Sequence, residues 1–240
     1  MKKFTTYDEI ENLCEAMIKD FMRRKHYTNS HCVDIEAFVT EYLGIPIVYE
    51  SFAEPDPGRI GFISDGIRPL WVVRNREKVQ VIFPEGTIVI ETYLRKPYEY
   101  SKRRFTIAHE GAHFVIDKHV PALSLAAFHS EFDGEMTYSQ DMLREMMSVT
   151  ESFANRAAAC FLMPRFLVAR MLKQYNSGQS IIAYEGYVLS QDQKNLVQRL
   201  ADAMGVNYSP MFNRLRELDM IEMRPISEYL PRFRMEGGEG

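Results

Sequence analysis

His109, Glu110 and His113 fall together in HEGAH, inside the stretch RRFTIAHEGAHFVIDKH. Residues four apart on a helix lie on one face, so both imidazoles can present neutral nitrogens to one metal ion. Glu110 sits one residue round from His109. There it flanks the ion without ligating it, and can take a proton from an attacking water and pass it to a leaving amine. Phe105, Ala112 and Ile116 share the face of the histidines, which therefore looks toward the core. Five-residue patterns do arise by chance, and a buried histidine usually only satisfies hydrogen bonds. Here the pattern lies in mid-helix on a mostly apolar face, which favours a zinc site. Gly111 costs about 1 kcal/mol relative to alanine in a helix interior; a close approach by a neighbouring element would account for it.

Catalytic zinc usually has three protein ligands and an open position. His119, six residues after His113, fits the spacing of H-E-x-x-H-x-x-G-x-x-H, except that Ile116 stands where that pattern has glycine. A β-branched residue resists the positive φ by which the helix would break and turn a third histidine back. His119 is therefore expected at the helix end, where its charge suits the dipole. The second candidate is Glu151, in ESFANRAAACFLMP. By helical period, Met147, Ala154, Asn155, Ala158 and Leu162 share its face, which is small enough to pack closely on another helix. A carboxylate there is costly unless paired or metal-bound, so Glu151 is the preferred third ligand.

Other residues are candidates for supporting roles. Asn155, one turn from Glu151, can fix its carboxylate. Asp117 could orient His113 through its second nitrogen, although a solvated helix-end aspartate is the preferred reading. Tyr98 and Tyr100 are candidates to reach a developing oxyanion. TIVIETYL, residues 87 to 94, is the candidate exposed edge on which a substrate adds as a strand, through Thr87, Val89, Glu91 and Tyr93; an ordinary packed strand is the alternative.

These groups need elements to hold them. Ile10, Leu13, Cys14, Met17 and Phe21 recur at helical spacing after the capping candidates Thr6 and Asp8. VDIEAFVTEYLG reads as a short helix stopped at Gly44. IPIVYES, RIGFIS, PLWVVRN, VQVIF and TIVIETYL read as strands, and their short links suggest an antiparallel meander. From about Tyr98 the helical period returns, with one helix through the histidines and another ending near Pro164. The fold expected is α+β: a zincin-like core over residues 1–175, holding a small antiparallel or mixed sheet, the HExxH helix and a second ligand-bearing helix. A helical region over 176–230 and a disordered tail over 231–240 follow.

Residues 196–221 read as helix, turn at Gly205, then a helix capped by Ser209 with Pro210 at its first position. This resembles a helix-turn-helix, perhaps winged. Its charge does not suit DNA: Lys194, Arg199, Arg214, Arg216 and Arg224 are matched by Asp192, Asp202, Glu217, Asp219 and Glu222. A DNA-reading module is usually basic, so a structural helix pair or protein-docking module is the preferred reading.

In order along the chain, VDIEAFVTEYLGIPIVYE, RIGFIS, RRFTIAHEGAH and ESFANRAAACFLMP resemble the ImmA/IrrE family of metallopeptidases; the last two pieces carry most of the specificity. The resemblance implies a gluzincin-like site with His109, His113 and Glu151 as zinc ligands and Glu110 as catalytic base. It also implies a regulatory endopeptidase of narrow specificity that cleaves a helix-turn-helix repressor of a mobile element or stress regulon. Two departures stand out. Gly-Ala fills the inside of HExxH where the family usually has Leu-Gly, and the segment from Lys118 to Val149 is long. Residues 119–140 or the C-terminal helices are the expected docking region for the substrate. The rival reading is a DNA-binding or protein-binding regulator with a structural or sensory zinc site.

The whole composition is compatible with either. Across 240 residues, hydrophobic residues make up 46% and charged residues 26%, with a net charge of -4, which gives no sign of a nucleic-acid coat or polybasic membrane anchor. Cys14, Cys32 and Cys160 are odd in number and form no C-x-x-C pair, which suits a reducing compartment. MKKFTTYDEIE has lysines but no apolar run after them, and no stretch approaches the roughly 18 apolar residues of a spanning helix. The expectation is a cytoplasmic protein with no membrane partner.

Overall fold

The computed structural model describes residues 6–27, 29–54, 58–119 and 140–229, leaving aside the side chains of 119 and 140–149. The chain divides after Pro164 into two compact units, Met1–Pro164 and Arg165–Gly240.

The first unit begins with α1 (Tyr7–Arg24). The Thr6 hydroxyl accepts from the Glu9 amide while the Glu9 carboxylate accepts from the Thr6 amide, a reciprocal capping box. Ile10, Cys14, Ile18 and Phe21 are buried at helical spacing. Asp34 caps the single turn α2 (Ile35–Ala37), which continues as a π turn over Phe38–Tyr42. Gly44 ends it at φ +73°.

All five expected strands form: β1 (Ile47–Glu50), β2 (Gly61–Ile63), β3 (Leu70–Arg74), β4 (Glu77–Val81) and β5 (Ile88–Glu91). Their pairing is not a meander. β3 and β4 make a hairpin, while β5 lies between β1, which it pairs in parallel, and β2, which it pairs antiparallel. Short links dictate antiparallel pairing only between sequence neighbours. β1 and β5 are far apart in sequence, so the intervening strands can carry the crossover that a parallel pair needs.

This arrangement overturns the expectation that β5 is an open edge, because its ladder is filled on both sides. Thr87 and Val89 are buried. The Glu91 carboxylate accepts from the Phe52 amide, and the Tyr93 hydroxyl accepts from Lys102 Nζ. The edge is β2. The Glu91 amide donates to the Ile60 carbonyl and the Ser64 amide donates to the Thr87 carbonyl. In an antiparallel ladder such bonding alternates, so the backbone groups of Ile60, Phe62 and Ser64 face β5 and those of Gly61 and Ile63 face outward.

Two long helices complete the unit, α3 (Tyr100–His119) and α4 (Gln140–Leu162), packed on each other. Ala108 and Ala112 of α3 and Ala154, Ala157 and Ala158 of α4 are all fully buried, small residues that let two helices come close. Gly111 also has its explanation in packing: a Cβ there would lie 3.1 Å from Val39 Cγ2 in the π turn. α3 runs unbroken through buried Ile116 to His119. The turn that would bring His119 back to the motif is therefore absent from the helix; the His119 side chain itself lies outside the described residues. So do most of the expected docking segment, 120–139, and the expected tail, 231–240.

The second unit contains α5 (Arg165–Asn176), β6 (Ile181–Tyr184), α6 (Gln191–Met204), α7 (Tyr208–Glu217) and β7 (Ile221–Arg224), with β6 and β7 paired in parallel. Leu167, Val168, Met171, Val197, Leu200, Met211 and Leu215 are buried in it. Gly205 ends α6 in the left-handed conformation. α7 starts earlier than expected, with Asn207 rather than Ser209 at its cap. Pro210 therefore falls inside the first turn, where a missing N–H leaves no helical bond unmade. No helix among the described residues is long and apolar enough to cross a membrane.

Candidate metal centre

α3 and α4 bring His109, His113 and Glu151 together. Glu151 is separated from His113 by a long stretch of sequence, and it meets the histidines because α4 packs along α3. His109 Nε2 and His113 Nε2 are 3.0 Å apart. Glu151 Oε2 is 3.2 Å from His109 Nε2, and Glu151 Oε1 is 3.4 Å from His113 Nε2. Ligands about 2.1 Å from a tetrahedral ion lie about 3.4 Å from one another, so this spacing suits such an ion.

Asn155 sharpens the case. Its Oδ1 lies 3.0 Å from His109 Nδ1. With Oδ1 accepting, Nδ1 carries the imidazole proton and Nε2 presents a bare lone pair. That lone pair faces a carboxylate oxygen, another acceptor. Two acceptors at 3.2 Å repel unless a proton or cation lies between them. The donor set thus fits a metal ion. Asn155 was expected to hold Glu151; instead it orients His109, the role of an outer hydrogen-bond partner in metal sites. Burial, followed by the neighbouring His109, lowers the pKa of His113, which favours the neutral imidazole that ligates metals.

The expected cost of burying Glu151 does not apply, because its side chain is 55% exposed. The small apolar face of α4 is real at Ala154, Ala158 and Leu162, which are buried. The same face opens to solvent at Glu151 and Asn155, in the middle of the helix.

Glu110 sits beside this cluster in a cleft of about 240 Å³, lined by Gly58, Arg59, Ile60, Gly61 and, from the helices, Phe105, Thr106, His109 and Asn155. Its carboxylate accepts a hydrogen bond from the Ile63 amide, one of the groups on the outer side of β2. Desolvation, with the negative charge of Glu151 second, pushes its pKa up to about 7 against the pull of the Ile63 amide and Arg59. A half-buried carboxylate with that affinity for protons is suited to accept and release one near neutral pH.

Three candidate residues are not in this cleft, and for Asp117 that agrees with the preferred reading of a solvated aspartate. Tyr98 is 76% exposed. The Tyr100 hydroxyl accepts from Arg104 Nη1 at 3.4 Å and faces a different cavity. Tyr100 precedes His109 by nine positions, about 13 Å along the helix, too far to meet a group reacting there. Asp117 is exposed and makes no hydrogen bond to His113 among the described residues. Gly61, Ile63 and Arg59 line or touch the site without being anticipated. The available signal was Gly61 itself, since a glycine inside a strand pattern often marks a close approach by another element.

Residues 40–209 match the model of the IrrE N-terminal-like domain, the M78 peptidases. The match covers well over half of the chain. The chain belongs to the M78 peptidase family. The M78 match contains HEGAH, Glu151 and Asn155, and leaves α1 outside it. No curated protein matches the chain.

Proposed function

We propose that this M78 peptidase is a zinc-dependent endopeptidase of narrow specificity with a zincin-like core. The observation that carries the reading is the convergence of two imidazoles and a carboxylate beside Glu110. His109, His113 and Glu151 would hold the ion. When bound, such an ion supplies Lewis acidity, making water a better nucleophile and a carbonyl a better electrophile.

The chain's own residues do the rest. Asn155 holds His109 in the tautomer that leaves Nε2 for the metal. A substrate segment lies along the outer side of β2, where the backbone of Gly61 faces the cleft and can pair with it as an added strand. Glu110 takes a proton from water as the water oxygen bonds to the peptide carbonyl carbon. It then delivers that proton to the nitrogen as the C–N bond breaks, and the second water proton passes from the new carboxyl group to the amine, leaving a carboxylate and an ammonium group. The substrate we propose is a helix-turn-helix repressor, a reading that rests on the family resemblance, and the site of action is the cytoplasm.

The test is co-expression with a repressor encoded beside this chain. The wild type should produce one specific fragment, and casein should be cleaved only slowly. Glu110→Gln should keep zinc, since Glu110 is not a ligand, and lose the fragment. Loss of zinc from that variant by elemental analysis would show that Glu110 has been given the wrong role. Sequence-specific duplex binding by the chain alone, with no cleavage of any repressor, would favour the DNA-binding regulator instead.

A further inference from the structure

Gly61, on the edge strand β2, lies where α3 packs over the face of the sheet. A Cβ on Gly61 would sit 2.5 Å from Thr106 Cγ2, 2.7 Å from Glu110 Oε1 and 3.2 Å from Glu110 Cγ. Side-chain carbons do not pack that closely, so any other residue here forces α3 side chains to move. Gly61 is not among the glycines with positive φ, so its backbone conformation is open to any residue. What distinguishes it is only the absence of a side chain. Two of the three atoms that a Cβ would strike belong to Glu110, and the Glu110 carboxylate is held by the amide of Ile63, two residues further along the same edge.

We propose that Gly61 is a positioning residue: its bare Cα leaves the lane through which Glu110 reaches the Ile63 amide, and that contact fixes the carboxylate in the cleft beside His109. The catalytic consequence rests on the reading of Glu110 as general base; the contact between Glu110 and Ile63 does not. The competing account is plain packing, in which Gly61 only makes room for Thr106. Thr106→Ser separates the two. It removes Cγ2, the nearest of the three atoms, and keeps the hydroxyl that donates to the Lys102 carbonyl.

The experiment compares the full-length wild type with Gly61→Ala, Thr106→Ser, the double variant and Glu110→Ala, each loaded with zinc. The readouts are the ¹H–¹⁵N resonance of the Ile63 amide, bound zinc, the thermal midpoint and the rate of casein cleavage. Glu110→Ala and Gly61→Ala should both displace the Ile63 resonance from its carboxylate-bonded position. Gly61→Ala should retain zinc and lose about 10- to 100-fold in rate, the scale of a misplaced catalytic group. In the double variant the midpoint should recover while the resonance and the rate do not. Recovery of all three would reduce Gly61 to packing. An Ile63 resonance that ignores Glu110→Ala would overturn the contact, whether or not Gly61→Ala folds. A wild type that cleaves neither casein nor a repressor would sink the peptidase reading and leave the resonance comparison to decide this one.

Discussion

Of two cavities that lie along α3 among the described residues of the first unit, the larger is not the one with the chemistry. The larger, about 650 Å³, is lined by residues 32–37 with Tyr49, Tyr100 and Arg104. The smaller, about 240 Å³, contains His109, Glu110 and Asn155. Both hold charged groups. At the larger the polar groups have complementary partners at hand: Glu36 Oε1 lies 3.1 Å from Arg103 Nε, a cation just outside the lining, and Arg104 donates to the Tyr100 hydroxyl. Burial raises the pKa of its one thiol, Cys32, which keeps it in the unreactive protonated form. At the smaller cleft, lone pairs point at lone pairs. Space alone is a poor guide to function; mutual repulsion that calls for a proton or a metal ion between the groups is a better one.

Predictions follow from that contrast. The largest effect should come from the acceptors that face each other. Glu151→Ala removes one of the three proposed ligands, and zinc affinity should fall by more than about 100-fold in a chelator competition. His119→Ala, in the same titration, should bind like the wild type, because α3 gives His119 no turn back to the motif. The reverse ranking would remove Glu151 from the site. An intermediate effect is expected one contact further out. Asn155→Ala should weaken zinc by about 10- to 100-fold, while Asn155→Asp, which still accepts from His109 Nδ1, should lose much less. Equal losses would show that Asn155 is not orienting the ring. The smallest effect belongs to the larger cavity. Glu36→Gln should leave zinc affinity unchanged and lower stability by under about 1 kcal/mol, as for other partly exposed ion pairs. A change in zinc affinity there would mean that the two cavities communicate.

The contrast also explains what could be read ahead of the structure. His109, His113 and Glu110 were legible because a helix converts a spacing of four into a shared face. Glu151 was legible from the small residues around it, although its assumed burial was not what the structure shows. The sheet was legible strand by strand but not in its order. Which strand lies at the edge depends on pairing between β1 and β5, and no local pattern encodes that. The same limit hid Ile63, whose role is played by a backbone amide and leaves no trace in residue type. Tyr98 and Tyr100 were nominated by chemistry alone, and the rise of α3 carries them away from the cleft.

α1 precedes the family match, yet it is fastened to the helix that carries Glu151. Glu11, fully buried, lies 3.6 Å from Arg156 Nε, and the Tyr7 hydroxyl lies 2.7 Å from Ser152 Oγ. α4 is therefore held from behind by α1, while the cluster at its front joins it to α3 across the chain from 114 to 150. An ion shared by His113 and Glu151 would act as a removable tie between α3 and α4, and by mass action it would stabilise the folded state. At free zinc a hundredfold above its dissociation constant the gain is about 2.7 kcal/mol. Metal supply would then govern not only whether the peptidase works but how long its ligand helices stay docked, with α1 as the part of the fastening that no chelator can remove.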